Sequence, residues 1–353
     1  MSVAVGGARV RWAAIALVVL VPWLVTDGLL SLRRDFYSGL YRKVPLLAAM
    51  PNADTLVAGD SRVLRVSSDP MRARGWVPFN FGLSAANAED VAMEVRYTLD
   101  HAPIRRAIIG LNFANMSDPA PFATSGYVDE WPFSARETRE FAELEPGSAA
   151  RRPTPTPPSG PTAWILPVSR ATVTLHGIFD RWSVLHEWDG YYPDGRIAYV
   201  SIRRQLDAGT FDVERERNPE FELNRPGGEY SYRRNPRLAP HVQAVYRRIF
   251  NTLAAQGIPV VAFETGHAAR YRAVIDGDPL LAQLAVAWRS FFRSMEGPCV
   301  KFLDRDDLGD AYRAEDFFDA AHFVGPTEER LGRRLSDDLA QAETACTARG
   351  GAK

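Results

Sequence analysis

Two cysteines in 353 residues, Cys299 and Cys346, cannot make a disulfide framework. In an oxidising compartment they can pair with each other; elsewhere they stand as two buried thiols. The chain has no P-loop and no Gly-x-Gly-x-x-Gly run, so no phosphate cradle of either kind is written in it. Its six histidines are scattered, and none joins Cys, Asp or Glu at metal-ligand spacing. No cofactor and no metal are therefore expected. Charge of one sign is missing too. Lys and Arg number 42 against 43 Asp and Glu, a net charge of −1. With no basic stripe carrying interleaved aromatics, a nucleic-acid partner is not expected. What is present is an ordinary globular balance, 46% hydrophobic and 24% charged. The length suits one large domain or two smaller ones.

One long apolar run stands out. After a tail of residues 1–11, residues 12–26 carry no charge, and after Asp27 the apolar character continues to Leu32. About 20 residues cross a bilayer. No small-x-small cleavage site follows, so 12–32 is expected to be a retained signal anchor rather than a removed signal peptide. Trp12 and Trp23 suit interfacial positions. Arg9 and Arg11 precede the span, while Arg33, Arg34, Arg42 and Lys43 follow it, so charge does not fix its orientation.

Beyond an amphipathic helix or connector at 33–50, short apolar runs alternate with helical periodicity. Strands are expected at 55–58, 79–81, 107–111, 258–263 and 299–303. Helices are expected at 88–101, with Asn87 as N-cap, and at 241–256, 279–295 and 326–344. Such alternation predicts an α/β domain around a parallel sheet of about five strands, spanning 51–345 and followed by a tail at 346–353. Residues 113–238 break the rhythm and read as an inserted cap. Within it, 146–161 is too rich in proline for helix or central strand and is expected to be a surface loop. Pro193-Asp194-Gly195 is a turn signal. Trp188, Tyr191 and Tyr192 either stack on a substrate sugar or pack the cap's own small core.

Two motifs bear on chemistry. Gly59-Asp60-Ser61 follows the first strand directly, where glycine allows a sharp turn at the carboxyl edge of the sheet. Far downstream, Asp319 and His322 lie three residues apart. A serine nucleophile needs a base to take its proton and a carboxylate to hold that base in one tautomer. Ser61, His322 and Asp319 are the residue types for those roles. Arg62 is either a solvated charge at a helix start or a clamp for an anion. Glu264 and His267 lie just past the fourth strand, on the edge where ligands bind, and are secondary substrate-binding candidates.

The order Ser, Asp, His resembles the SGNH (GDSL-type) hydrolase and acyltransferase superfamily. Four blocks carry the resemblance: Gly59-Asp60-Ser61, Phe79-Asn-Phe-Gly82, Gly110-Leu-Asn112 and Asp319-Ala-Ala-His322. Gly-Asp-Ser-Arg behind an N-terminal anchor is similar, more narrowly, to cell-surface polysaccharide O-acetyltransferase relatives of the alginate-acetylation type. The resemblance implies a three-layer α/β/α sandwich and an oxyanion hole from the Ser61 and Gly82 backbone N–H groups and the Asn112 side chain. The family's third block commonly reads Gly-x-Asn-Asp; here Phe113 follows Asn112, and Asn115 is a rival for its role. The implied protein is a single-pass, extracytoplasmic (periplasmic) esterase or O-acyltransferase. It would act on a cell-surface glycan, with a membrane acyl-donor protein as a partner. Transfer and hydrolysis share one acyl-serine intermediate and stay undivided. The alternatives are a non-enzymatic accessory subunit of a polysaccharide modification or export complex and a general esterase or lipase.

Overall fold

The computed structural model describes residues 39–84, 86–113, 192–197, 200–210, 238–313, 317–319, 321–323 and 325–350. The expected anchor at 12–32, the loop at 146–161, Asn115, Trp188 and Tyr191 lie outside them. Among the described residues no helix is long and apolar enough to cross a membrane. The chain divides into two compact units. One comprises Met1–Arg42 and Pro153–Glu187, nearly all outside the described residues; the other, Lys43–Arg152 with Trp188–Lys353, contains the sheet.

That sheet has five parallel strands: β1 (Thr55–Ala58), β2 (Pro78–Asn80), β3 (Arg106–Leu111), β4 (Val260–Glu264) and β5 (Val300–Leu303). Their spatial order is β2-β1-β3-β4-β5. In register, Leu56 faces Phe79 on one side and Ala107 on the other, and Ile109 faces Ala262. Nearly every strand residue is buried, as expected of a parallel sheet covered on both faces.

Alternate strand residues point to opposite faces. Val57, Ile108, Val261, Phe263 and Leu303 pack with Leu331, Leu335 and Leu339. These leucines recur every four residues on the long helix α9 (Pro326–Gly350), which covers β3, β4 and β5. Phe302, pointing the other way, meets Trp288 and Phe292 of α7 (Pro279–Arg293). That side also carries α3 (Ala88–His101) and α5 (Pro240–Ala255), which pack on each other; Tyr246 and Phe250 of α5 touch Phe292. The result is a five-stranded α/β sheet flanked by helices.

The element ends follow local chemistry. Asn87 caps α3 in a reciprocal capping box with Asp90. Gly257, at φ +68°, stops α5. Pro193-Asp194-Gly195 makes the expected turn, closed by the Gly195 N–H donating to Tyr192 O at 2.9 Å. One expectation is corrected: residues 346–350 are not a tail, because α9 continues to Gly350. Of the two readings of 33–50 the helix holds, since α1 (Gly39–Ala48) lies within it and buries Lys43 and Leu47 in the domain. The stretch after β4 also holds a helix, α6 (Ala269–Gly277), whose mixed composition hid its period. In the inserted region, α4 (Val200–Asp207) is a further helix. Two short helices complete the described elements, α2 (Asp69–Arg72) and α8 (Arg305–Leu308).

Cys299 and Cys346 form a disulfide, Cα to Cα 4.4 Å, joining the start of β5 to the end of α9. The bridge closes a loop 47 residues apart in sequence. Chain-entropy arguments put the stabilisation from such a loop at about 4 kcal/mol, with measured bridges typically about 2–4. Replacing both cysteines with alanine should therefore lower the unfolding free energy, read by denaturant melts, by about 2–4 kcal/mol. Unchanged stability would show that the bridge carries none of it.

Candidate active site

The strand order reverses direction between β1 and β3, and ligands of open parallel sheets bind beyond the strand ends at such a switch point. Ser61 follows β1 there, and Asn112 follows β3. The turn carrying Ser61 is held by its neighbours rather than by its own length. Gly59 sits at φ +141°, and a Cβ on it would stand 2.9 Å from Gly110 O. The Gly59 N–H donates to Glu94 Oε2 of α3 at 2.7 Å. Asp60 then caps the short 3-10 turn Ser61–Val63: its Oδ1 accepts the Arg62 N–H at 3.0 Å. Its Oδ2 accepts from Arg62 Nη1 and from Asn112 Nδ2, each at 2.6 Å. Val63, fully buried, fills a notch between glycines. A Cβ on Gly82 would reach 2.4 Å from Val63 Cγ2, and one on Gly110 would reach 2.1 Å from Cγ1.

The second half of the site comes from a pinned loop. Phe317 and Phe323 are buried, meet edge to face at 6.0 Å and form an antiparallel bridge. Between them, Asp319 Oδ1 accepts the N–H groups of Ala321 at 2.8 Å and His322 at 2.6 Å. This orients both side chains. Asp319 Oδ2 lies 2.6 Å from His322 Nδ1, and His322 Nε2 lies 2.6 Å from Ser61 Oγ. The Phe318 ring stacks on His322 at 5.9 Å. Burial works to raise the Asp319 pKa, but His322 and the accepted hydrogen bonds outweigh it and hold the carboxyl below the usual range. An ionised carboxylate only accepts, so Nδ1–H donates to Asp319, and in the neutral imidazole Nε2 is then the acceptor for the Ser61 hydroxyl.

The remaining expected residues are placed less simply. Asn112 and Gly82 flank the Ser61 turn, yet in this state Asn112 Nδ2 bonds Asp60 and the Gly82 N–H donates to Asn80 Oδ1 at 3.1 Å. Arg62 is not a solvated charge: its side chain is largely buried and its Nη1 is paired with Asp60. Glu264 is turned to Arg289, which holds it with two bonds of 2.8 Å, and to the N–H of Arg305 at 3.2 Å. His267 lies in a cavity next to this pair.

Two supporting groups escaped the sequence reading. Glu94 is fully buried; burial, only partly offset by the Gly59 N–H, pushes its carboxyl well above the ordinary range. Its signal was a glutamate on the apolar face of α3, three residues after Val91. Lys43 is also fully buried and donates to Asn80 O at 2.6 Å and to Gly195 O. Burial lowers its pKa to about 7 against the pull of Glu94 and Asp194. Asn80 passes this support on, since its side chain also donates to Val63 O at 2.7 Å.

No family model, no curated protein and no solved structure matches this chain.

The glycine notch gives a direct test. Valine is stiff at χ1, so Val63 cannot swing away from a new methyl group. Gly110→Ala should cost about 1–3 kcal/mol of stability by overpacking. Gly110→Ala/Val63→Ala should recover part of that loss, a non-additivity that a denaturant double-mutant cycle measures. Additive losses would mean that the two sites do not share the notch.

Proposed function

We propose that this protein is a serine acyl-transfer enzyme of the SGNH (GDSL-type) class, an extracytoplasmic esterase or O-acyltransferase anchored by its N-terminal span and acting on a cell-surface glycan. The observation that carries the reading is the unbroken relay Ser61 Oγ to His322 Nε2 and His322 Nδ1 to Asp319, both at 2.6 Å. In this reading Ser61 Oγ attacks the acyl carbonyl as its proton passes to His322 Nε2. Asp319 holds the imidazole tautomer and steadies the imidazolium that forms. His322 returns the proton to the leaving oxygen, giving an acyl-serine. An acceptor hydroxyl, of a sugar or of water, then repeats the sequence in reverse. The backbone N–H groups of Ser61 and Gly82 and the side chain of Asn112 are the proposed oxyanion donors; the single Gly82 N–H must shift from Asn80 to serve, whereas Asn112 Nδ2 carries two hydrogens and can keep Asp60 while it serves.

Location and substrate class have their own support. A disulfide persists in oxidising compartments. A polar groove of about 350 Å³ opens between the segment after Ser61 and the one after His322, lined by Arg65, Ser67, Tyr192, Arg196 and Glu328 among others. Alternating donors and acceptors with one exposed aromatic suit a hydroxyl-rich ligand better than a lipid chain. The engaged state of the Gly82 N–H favours a second reading, a non-catalytic accessory subunit of a glycan-modifying complex that keeps the fold.

Steady-state hydrolysis of an activated acetyl ester separates the two. On the enzyme reading, Ser61→Ala and His322→Ala each abolish turnover, and their losses do not add. Asp319→Asn costs no more than either. Asn112→Ala lowers kcat by about 10²–10³ if it reaches the oxyanion. Full activity in folded Ser61→Ala would remove the enzyme reading.

A further inference from the structure

Past the carboxyl ends of β4 and β5 lies a small cavity that the serine relay does not use. His267, Arg272, Arg305 and Arg313 line it, with the Arg289–Glu264 pair as one wall. Both Glu264 oxygens are held by Arg289, so that wall is a neutral couple. Arg305 pairs with Asp276 through one of its terminal nitrogens. The guanidinium groups of Arg272 and Arg313 make no ion pair or hydrogen bond among the described residues, so within those residues the positive charge of the lining exceeds the negative. The His267 side chain as a whole is half-buried, but its Nε2 atom is out of contact with solvent and has no hydrogen-bond partner. A buried polar atom without a partner is costly, and such an atom in a native cavity calls for a ligand or water to satisfy it.

From this geometry we infer that the cavity is a carboxylate-binding subsite, in which the guanidinium groups of Arg272 and Arg313 grip the two oxygens and His267 Nε2–H donates to one of them. Size narrows the ligand. The cavity holds about 30 Å³, about the room of two water molecules or of the two oxygens of a carboxylate, and less than a sugar ring needs. Planar guanidinium groups match a carboxylate with paired hydrogen bonds. Burial, then the nearby Arg62, Arg272 and Arg305, hold the His267 pKa well below its ordinary value, so the imidazole is neutral and binds as a hydrogen-bonding group rather than as a charge. The subsite lies on the same sheet edge as Ser61. A ligand reaching both would carry its acyl-transfer centre and its carboxylate on one molecule. The binding claim itself does not rest on Ser61 being a nucleophile.

The test is thermal stabilisation of the full-length protein titrated with sodium acetate, sodium phosphate and sodium chloride at equal ionic strength, repeated in Ser61→Ala. The expected result is a saturable rise in Tm with acetate, equal in wild type and Ser61→Ala, that chloride does not reproduce. Arg272→Gln/Arg313→Gln should weaken the apparent acetate affinity at least tenfold, and His267→Phe should weaken it as well. Arg333→Gln, removing an exposed arginine paired with Glu329, should leave it unchanged. Saturation by phosphate without acetate would overturn the carboxylate assignment. So would an acetate effect that survives the double arginine substitution, or no saturable effect of either ion. If Ser61→Ala loses ester turnover while acetate binding persists, both readings stand; if turnover survives and binding persists, only the serine reading falls.

Discussion

Val63 can occupy its place only because three glycines stand back from it, and the turn that carries Ser61 follows from that packing. Gly59, Gly82 and Gly110 come from the ends of different strands, and any Cβ on them would press within 3.0 Å of the valine methyls. Three strand ends thereby converge on one side chain. Burying a valine contributes roughly 1.5–3 kcal/mol, but the positional effect matters more here. With Val63 seated, Ser61 two residues earlier has little freedom, and Asp60 removes the rest by bonding Arg62 and Asn112 at once. A serine fixed by packing keeps its hydroxyl for the contact with His322 Nε2, as the proposed nucleophile requires.

Beneath the turn lies a layer of buried polar groups that is costly to keep. Lys43 and Glu94 are both fully buried, and burial moves their pKa values toward the neutral forms. Such groups persist where each satisfies a backbone atom that would otherwise be orphaned. Glu94 takes the Gly59 N–H; Lys43 takes the carbonyls of Asn80 and Gly195. Lys43 lies on α1 and Gly195 lies in the inserted region, so the support of the Ser61 turn draws on segments far apart in sequence. The Asp319–His322 loop solves the same problem differently, with two buried phenylalanines as its feet and a carboxylate that accepts its own backbone.

Much of this was legible in the order of residues. Short apolar runs such as Leu56–Ala58 and Val260–Phe263 have only one comfortable place, a parallel sheet covered on both faces. Asn87 and Gly257 mark helix ends by local chemistry that tertiary context did not override. Ser61, Asp319 and His322 could be named because residue types and spacing carry the triad's requirements. What stayed hidden depends on pairing across the fold. Nothing near Glu264 in sequence says that Arg289, 25 residues on, will take both its oxygens. Ala269–Gly277 was missed because polar residues interrupt its period. The engagement of Asn112 with Asp60 is likewise a contact between two strand ends that no local pattern announces.

In the proposed chemistry Ser61 becomes covalently acylated with His322 as its base. Intact-protein mass spectrometry after brief exposure to an activated acetyl ester, followed by peptide mapping, tests it most directly. The account predicts a single acetyl group on Ser61 in the wild type and none in His322→Ala. Acetyl groups only on lysines, or on Ser61 to the same extent without His322, would contradict it.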